Sequence, residues 1–225
     1  MCIRDRNDTF RDDVEIDGEL AWLLGFYIAE GTLGEYSYRN QWKVVNNNKQ
    51  HLLKRQKIMT NSLGMETVVS QYESDGKLKS LQGFGNSNLL TQYFEHHCYV
   101  KGHKVIPAMV LNGTKHVKRC FLDGMMAGDG QLGRKDKTAH IRQIHKSIVS
   151  GLCVIIDKLG YDYSLKFQKD KPNFIAMRII MDKTNYGPRP YNEVKFLEKF
   201  EIDENVYDLS TDLSLIHISE PTRPY

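Results

Sequence analysis

The chain has 225 residues, 40% apolar and 26% charged, with 31 Lys and Arg against 28 Asp and Glu for a net charge of +3. That length supports one large domain or two small ones, and the composition excludes a disordered or collagen-like chain. No apolar run approaches the roughly 20 residues of a membrane span, and no CxxC pair stands among the four cysteines, which excludes a disulfide-stapled secreted scaffold and points to a reducing compartment.

In chain order, the first six residues, Met1-Cys2-Ile3-Arg4-Asp5-Arg6, translate a DNA word beginning ATGTGTATAAGAGACAG. Its reverse complement translates as Leu213-Ser214-Leu215-Ile216-His217-Ile218. Residues 1–6 and 213–225 therefore read as translated sequencing-library adapter, and the natural chain is expected to be a piece of a longer protein. Residues 7–19 form an acidic linker, with Asp12, Asp13, Glu15, Asp17 and Glu19. Beyond it the charge reverses: residues 31–200 hold 27 Lys and Arg against 14 Asp and Glu. A basic body with acidic flanks suits a polyanionic partner, since counterion release drives such binding.

An internal repeat organises the body. Leu23 to Gly34 (LLGFYIAEGTLG) aligns with Leu122 to Gly133 (LDGMMAGDGQLG), and a second landmark follows each copy, Ser62-Leu63-Gly64-Met65 and Lys158-Leu159-Gly160-Tyr161. Two α/β halves are expected, 20–107 and 108–200. The repeated segment is apolar almost all round, which predicts a buried helix. Small residues recur at spacing four, Gly25 and Ala29 in one copy and Gly124 and Gly128 in the other. Such residues share one helical face, and glycine there costs about 0.8–1 kcal/mol relative to Ala, so close packing of the two helices is the expected compensation.

Each repeat closes on an acid and a glycine, Glu30-Gly31 and Asp129-Gly130. The glycine reads as a helix stop. The acid does not, because a helix C-terminus already carries about half a negative charge. Two parallel helices would bring two carboxylates and two negative dipole ends together, a cluster that calls for a hard divalent cation, Mg²⁺ or Mn²⁺, with oxygen ligands. Beside a polyanion such an ion can activate water for phosphodiester cleavage.

At these residues the chain resembles the LAGLIDADG homing endonucleases, in their two-motif monomeric form. The resemblance implies an α+β fold of two pseudo-symmetric halves, each laying a curved antiparallel sheet in the DNA major groove, joined through the paired motif helices. It implies a site-specific endonuclease that hydrolyses double-stranded DNA with Mg²⁺ or Mn²⁺, acting as a monomer in the cytoplasm or the nucleic-acid compartment of its host. Glu30 and Asp129 would be catalytic metal ligands, with Gly31 and Gly130 beside them in the metal site. The first motif departs from the family pattern in Leu24, Ile28 and the use of Glu at 30.

Between the halves runs Gly102-His103-Lys104-Val105-Ile106-Pro107, followed by an amphipathic segment expected to lead as a helix into the second motif. The stretch resembles intein endonucleases, which implies a catalytic role for Lys104 near the metals. Strands expected to line the groove are 41–46, 78–82, 138–145, 162–168 and 174–181. On them Lys43, Arg142, Gln143, Lys166 and Gln168 are candidate DNA contacts, because Arg suits guanine and Gln suits adenine edges. Period-two alternation sets Arg142 opposite Gln143, and Lys166 and Gln168 opposite Leu165 and Phe167. A zinc site from His96, His97, Cys98, His103 and Cys120 is the weaker reading, since the spacing is irregular.

The last native segment, 201–212, holds Asn205-Val206-Tyr207-Asp208-Leu209. It resembles the opening strand of the C-terminal splicing region of inteins. That resemblance implies an endonuclease from within an intein whose exteins form a host protein, here unable to splice because the terminal nucleophile and the cyclising Asn are missing. A free-standing or intron-borne endonuclease is the alternative origin. A non-catalytic LAGLIDADG nucleic-acid-binding protein, an RNA maturase or regulator, is the alternative function.

Overall fold

The structure is a computed structural model that describes residues 16–36, 39–74, 77–86, 88–133, 137–168 and 171–181. The adapter-like ends, the linker to residue 15 and the segment expected to open a splicing region lie outside the described residues.

The first half runs α1 (Gly18–Glu30), β1 (Gly31–Tyr36), β2 (Arg39–Val45), α2 (Lys49–Leu63), β3 (Val68–Ser74), β4 (Lys77–Asn86) and α3 (Asn88–Cys98). A short hairpin follows, β5 (Tyr99–Val100) with β6 (His103–Lys104), and then α4 (Ala108–Leu111). The second half repeats the pattern with α5 (Lys115–Asp129), β7 (Gly130–Leu132), β8 (Thr138–Gln143), α6 (Lys146–Leu159), β9 (Asp162–Gln168) and β10 (Lys171–Ile180). Each half builds a four-stranded antiparallel sheet, in the orders β1-β2-β4-β3 and β7-β8-β10-β9. The duplication read from two short motifs thus extends to whole-sheet topology. Among the described residues no helix is long and apolar enough to cross a membrane.

Local chemistry sets the element ends. Asp17 caps α1 by accepting from Leu20 N–H at 2.8 Å, and Thr114 caps α5 by accepting from Val117 N–H at 3.2 Å. The predicted continuous helix into the second motif is therefore two: Asn112, Gly113 and Thr114 break it, and the Thr114 cap restarts it. The second landmark of each repeat is a helix stop, with Gly64 (φ 64°) ending α2 and Gly160 (φ 79°) ending α6. Both occupy the left-handed region, where a Cβ is strained. The predicted strand 138–145 ends at Gln143, because His145 already caps α6.

The core is centred on α1 against α5. Eight consecutive residues of α1, Ala21 to Ile28, are buried. Its glycines are used reciprocally. A Cβ on Gly25 would strike the Phe121 carbonyl and come 2.9 Å from Met125 N, while one on Gly124 would strike the Trp22 carbonyl and come 2.9 Å from Phe26 N. Trp22 and Phe121, and Phe26 and Met125, are themselves repeat partners, so the two helices cross about a pseudo-twofold axis through the glycine pair. Sheet faces with Trp42, Val44 and Leu81, and with Ala139, Ile141, Ile175, Met177 and Ile179, are buried. Leu52, Ile58 and Met59 of α2, and Ile148, Leu152, Ile155 and Ile156 of α6, supply the apolar faces that pack with these sheets.

Candidate active site

The close crossing delivers the C-termini of α1 and α5 to one place. Gly128, one residue before Asp129, has no side chain where Glu30 lies: a Cβ there would meet Glu30 Cγ at 2.7 Å and Ala29 Cβ at 2.5 Å. Glu30 therefore folds across the last turn of α5. Asn46 Nδ2 donates to Glu30 Oε1 at 2.8 Å and to the Ala127 carbonyl at 3.4 Å, tying the two helix ends together. Gln143 Nε2 donates to Asp129 Oδ2.

These two amides are counterparts. Gly31 pairs with Val44 across β1 and β2, and Gly130 pairs with Ile141 across β7 and β8. Asn46 and Gln143 each stand two residues past those partners. Each half thus supplies one acid from its helix end and one amide from the end of its second strand or just beyond it to hold that acid.

Neither acid is fully solvated, and each feels the other. Burial, then the charge of Glu30, pushes the Asp129 carboxyl up to about 6, against the opposing pull of Lys104 and the Gln143 amide. Burial raises Glu30 too, partly countered by Asn46 and Lys104. Lys104, half-buried rather than solvated, donates Nζ to the Ile28 carbonyl at 2.8 Å and to the Tyr27 carbonyl at 3.5 Å. It neutralises the negative end of α1. Burial lowers its pKa while Asp129, Cys98 and Glu30 raise it, so its charge is shared among helix carbonyls and acids.

The site remains short of positive charge. Its free donors are oxygens, which fits a hard divalent cation. Among the described residues no three His, Cys, Asp or Glu side chains gather as a metal group, so an ion here would rest on Glu30, Asp129, backbone oxygens and water. Gly31 and Gly130 stand at the helix stops that the sequence suggested, as the C-cap residues of α1 and α5. Both are extended (φ −79°, ψ 151° and φ −89°, ψ 150°) and lead straight into β1 and β7. They are glycines because a Cβ would collide with the Tyr27 ring in one half and Met126 in the other.

Four of the five candidate DNA contacts can be assigned a face, and they divide between two. Strand register places Lys43 beside Thr32, on the face opposite buried Trp42 and Val44. In the second sheet Arg142, Ala176 and Lys166 form one cross-strand row, with Arg142 and Lys166 exposed on the face opposite the core. Gln168 pairs with Lys171 at the far end of β9, and its side chain lies outside the described residues. Gln143 corrects the expectation. It faces inward, 8% exposed, because alternation puts it on the same face as Ala139 and Ile141, and there it serves Asp129 rather than the groove. Leu165 and Phe167 do face opposite Lys166, yet remain 37% and 60% exposed on an outer strand.

The zinc reading dissolves in the fold. Cys98 is buried, its thiol pushed up to about 12 by burial, while Cys120 lies beside His116 at 3.7 Å.

Residues 105–185 match the family model described as homing endonuclease. A DNA polymerase of Acanthamoeba polyphaga mimivirus is 23% identical over 90% of this chain, which spans only 12% of that polymerase. The homing endonuclease I-DmoI, solved with DNA and Ca, superposes with a TM-score of 0.56 at 16% identity, covering 74% of this chain and 84% of the other. I-WcaI bound to its DNA recognition sequence gives 0.54 at 14% identity, covering 76% and 79%. The chain has the fold of the LAGLIDADG homing endonucleases, and its residues 105–185 match the homing endonuclease family model.

Proposed function

We propose that this chain cuts both strands of duplex DNA at a long specific site, by divalent-metal-dependent hydrolysis of one phosphodiester per strand, and that it derives from an intein lodged in a DNA polymerase. The observation that carries the reading is the meeting of Glu30 and Asp129 at adjoining helix ends, each held by an amide and both facing Lys104. The solved I-DmoI complexes with DNA and Ca or Mn support the metal requirement. A match to a tenth or so of several polymerases' length, in a chain with an endonuclease fold, supports the insertion. The halves 20–107 and 108–200 would each grip one arm of the site, so one monomer suffices.

Glu30 and Asp129 would hold Mg²⁺ or Mn²⁺, with backbone oxygens near Gly31 and Gly130 available to complete the shell. The bound ion would supply an activated water and charge stabilisation at the attacking and leaving oxygens. The chain's own groups do the rest. Asn46 and Gln143 fix the carboxylates in their binding rotamers. Lys104 would place its positive charge beside the phosphate as negative charge gathers in the pentacoordinate transition state. Lys43, Arg142, Lys166 and Gln168 lie on strands of the sheets that would face DNA, and would contact backbone and bases.

The test is to incubate the chain with a randomised duplex library and Mg²⁺, then sequence the cut ends. A single recurrent site is expected, abolished in the Glu30→Gln, Asp129→Asn variant, which still shifts duplex on a gel. Absence of cut ends, or cutting by that variant, overturns the proposal.

A further inference from the structure

Two histidines flank Lys104 without a part in the chemistry above. His103 shares β6 with Lys104 and is exposed, and His145 occupies the N-cap position of α6. Their ring centroids lie 6.2 Å apart, tilted by 55°. That spacing brings both rings within reach of a single phosphate group. Ser147 donates its hydroxyl to the Lys104 carbonyl at 2.8 Å, pinning the β5–β6 hairpin to the first turn of α6.

The duplication makes His145 informative. Its counterpart by strand register is Asn48, since each lies two residues beyond the amide that holds an acid, and each stands at the N-cap of the next helix. Asn48 caps in the usual way, accepting from Gln50 N–H at 3.0 Å. His145 makes no side-chain capping bond, and its ring turns toward β6 instead. The charged groups facing it are Lys104 and His103 of β6, with Lys146 next to it on its own helix. Asp129 and Glu30 face the same lysine from α5 and α1.

We propose that His103, Lys104 and His145 form a seat for a DNA backbone phosphate beside the acid pair, and that the His145 imidazole takes up a proton as the phosphate docks. The seat rests on reading the chain as a DNA-cutting enzyme. Burial first, then the charges of Lys104 and His103, lowers the His145 imidazole from its ordinary range and favours its neutral form in the free protein. A phosphate bound at the rings supplies the missing negative charge and favours the protonated form. The proton comes from buffer, neutral imidazole becomes imidazolium, and duplex binding tightens as pH falls.

Phosphate contacts carry no sequence information, so the test needs no target. Anisotropy of a labelled mixed-sequence duplex is measured in EDTA and low salt from pH 5.5 to 8.5. The full chain carries Glu30→Gln and Asp129→Asn throughout, which removes the acids' own titration. Affinity is expected to rise about 5- to 10-fold from pH 8 to pH 6, the range for uptake of one proton. Adding His103→Gln and His145→Gln should flatten that rise, whereas His145→Lys should bind tightly at every pH, which a merely structural histidine would not give. An unchanged pH profile in the histidine variant overturns the seat alone. Absence of duplex binding at every pH overturns the endonuclease reading and the seat with it.

Discussion

Asp129 and Glu30 are held against their preference. A carboxyl pushed up to about 6 binds its proton more tightly in the folded chain than in the unfolded one. Without metal, stability is therefore greatest below the ordinary carboxylate range and falls as pH rises from about 4 to about 6. Asp129→Asn should accordingly raise the melting temperature at pH 7 to 8, with the gain vanishing near pH 4 in a calorimetric series. Added divalent ion should raise the melting temperature of the natural chain and leave that of the variant unmoved. If the ionised pair holds the metal as proposed, cleavage has the opposite sign, and its rate should fall as pH drops through about 6. Asn46→Ala and Gln143→Ala remove groups that orient the acids rather than the acids themselves. Single-turnover rates should drop about 10- to 100-fold in each, with folding retained.

At the scale of elements, the glycines of the motif helices separate into two kinds. Gly25 and Gly124 face backbone of the opposite helix, which cannot step aside. Alanine normally stabilises a helix interior by about 1 kcal/mol over glycine, but overpacking a tight contact costs about 1–3 kcal/mol. Gly25→Ala and Gly124→Ala should lower the melting temperature by a few degrees, at roughly 2–4 °C per kcal/mol for a chain of this size. Gly128 faces the Glu30 side chain and Ala29 Cβ. Gly128→Ala should displace Glu30, so cleavage falls far more than stability does. Equal losses at all three positions in paired melting and cleavage measurements would contradict that division.

Over the whole molecule, the excess of Lys and Arg between residues 31 and 200 predicts binding that is steeply salt-dependent. Arg142 and Lys166 lie in one row on the face turned away from the core. Each, changed to Ala, should reduce the slope of log affinity against log salt by about 1 if it neutralises a phosphate. A base reader in the same place would instead relax the cleavage site at one position, which sequencing of cut ends would reveal.

The repeat, the apolar motif helices, the glycine stripe and the two terminal acids were legible because each depends on near neighbours along the chain: a periodicity, a spacing of four, an acid before a glycine. Strand positions followed from period-two alternation, which also set Lys166 opposite in facing to Leu165 and Phe167, as the register has them. The amides were not legible in this way. Aligned at the constant offset of 99, Asn46 meets His145 and Gln143 meets Val44. The strand registers, Gly31 with Val44 and Gly130 with Ile141, shift the match by two residues and reveal Asn46 and Gln143 as a pair. Gln143 looked like a groove reader because alternation sets it apart from Arg142 but does not say which face is buried. Packing against the core decided that. Lys104 was singled out through the intein-like stretch around it, but its bonds to the carbonyl end of α1 come only from the fold. Sequence determined which groups the chain possesses and how each helix begins and ends. Only the close crossing of two helices and the register of two sheets, both products of contacts between distant residues, decided which of those groups share a volume and a charge.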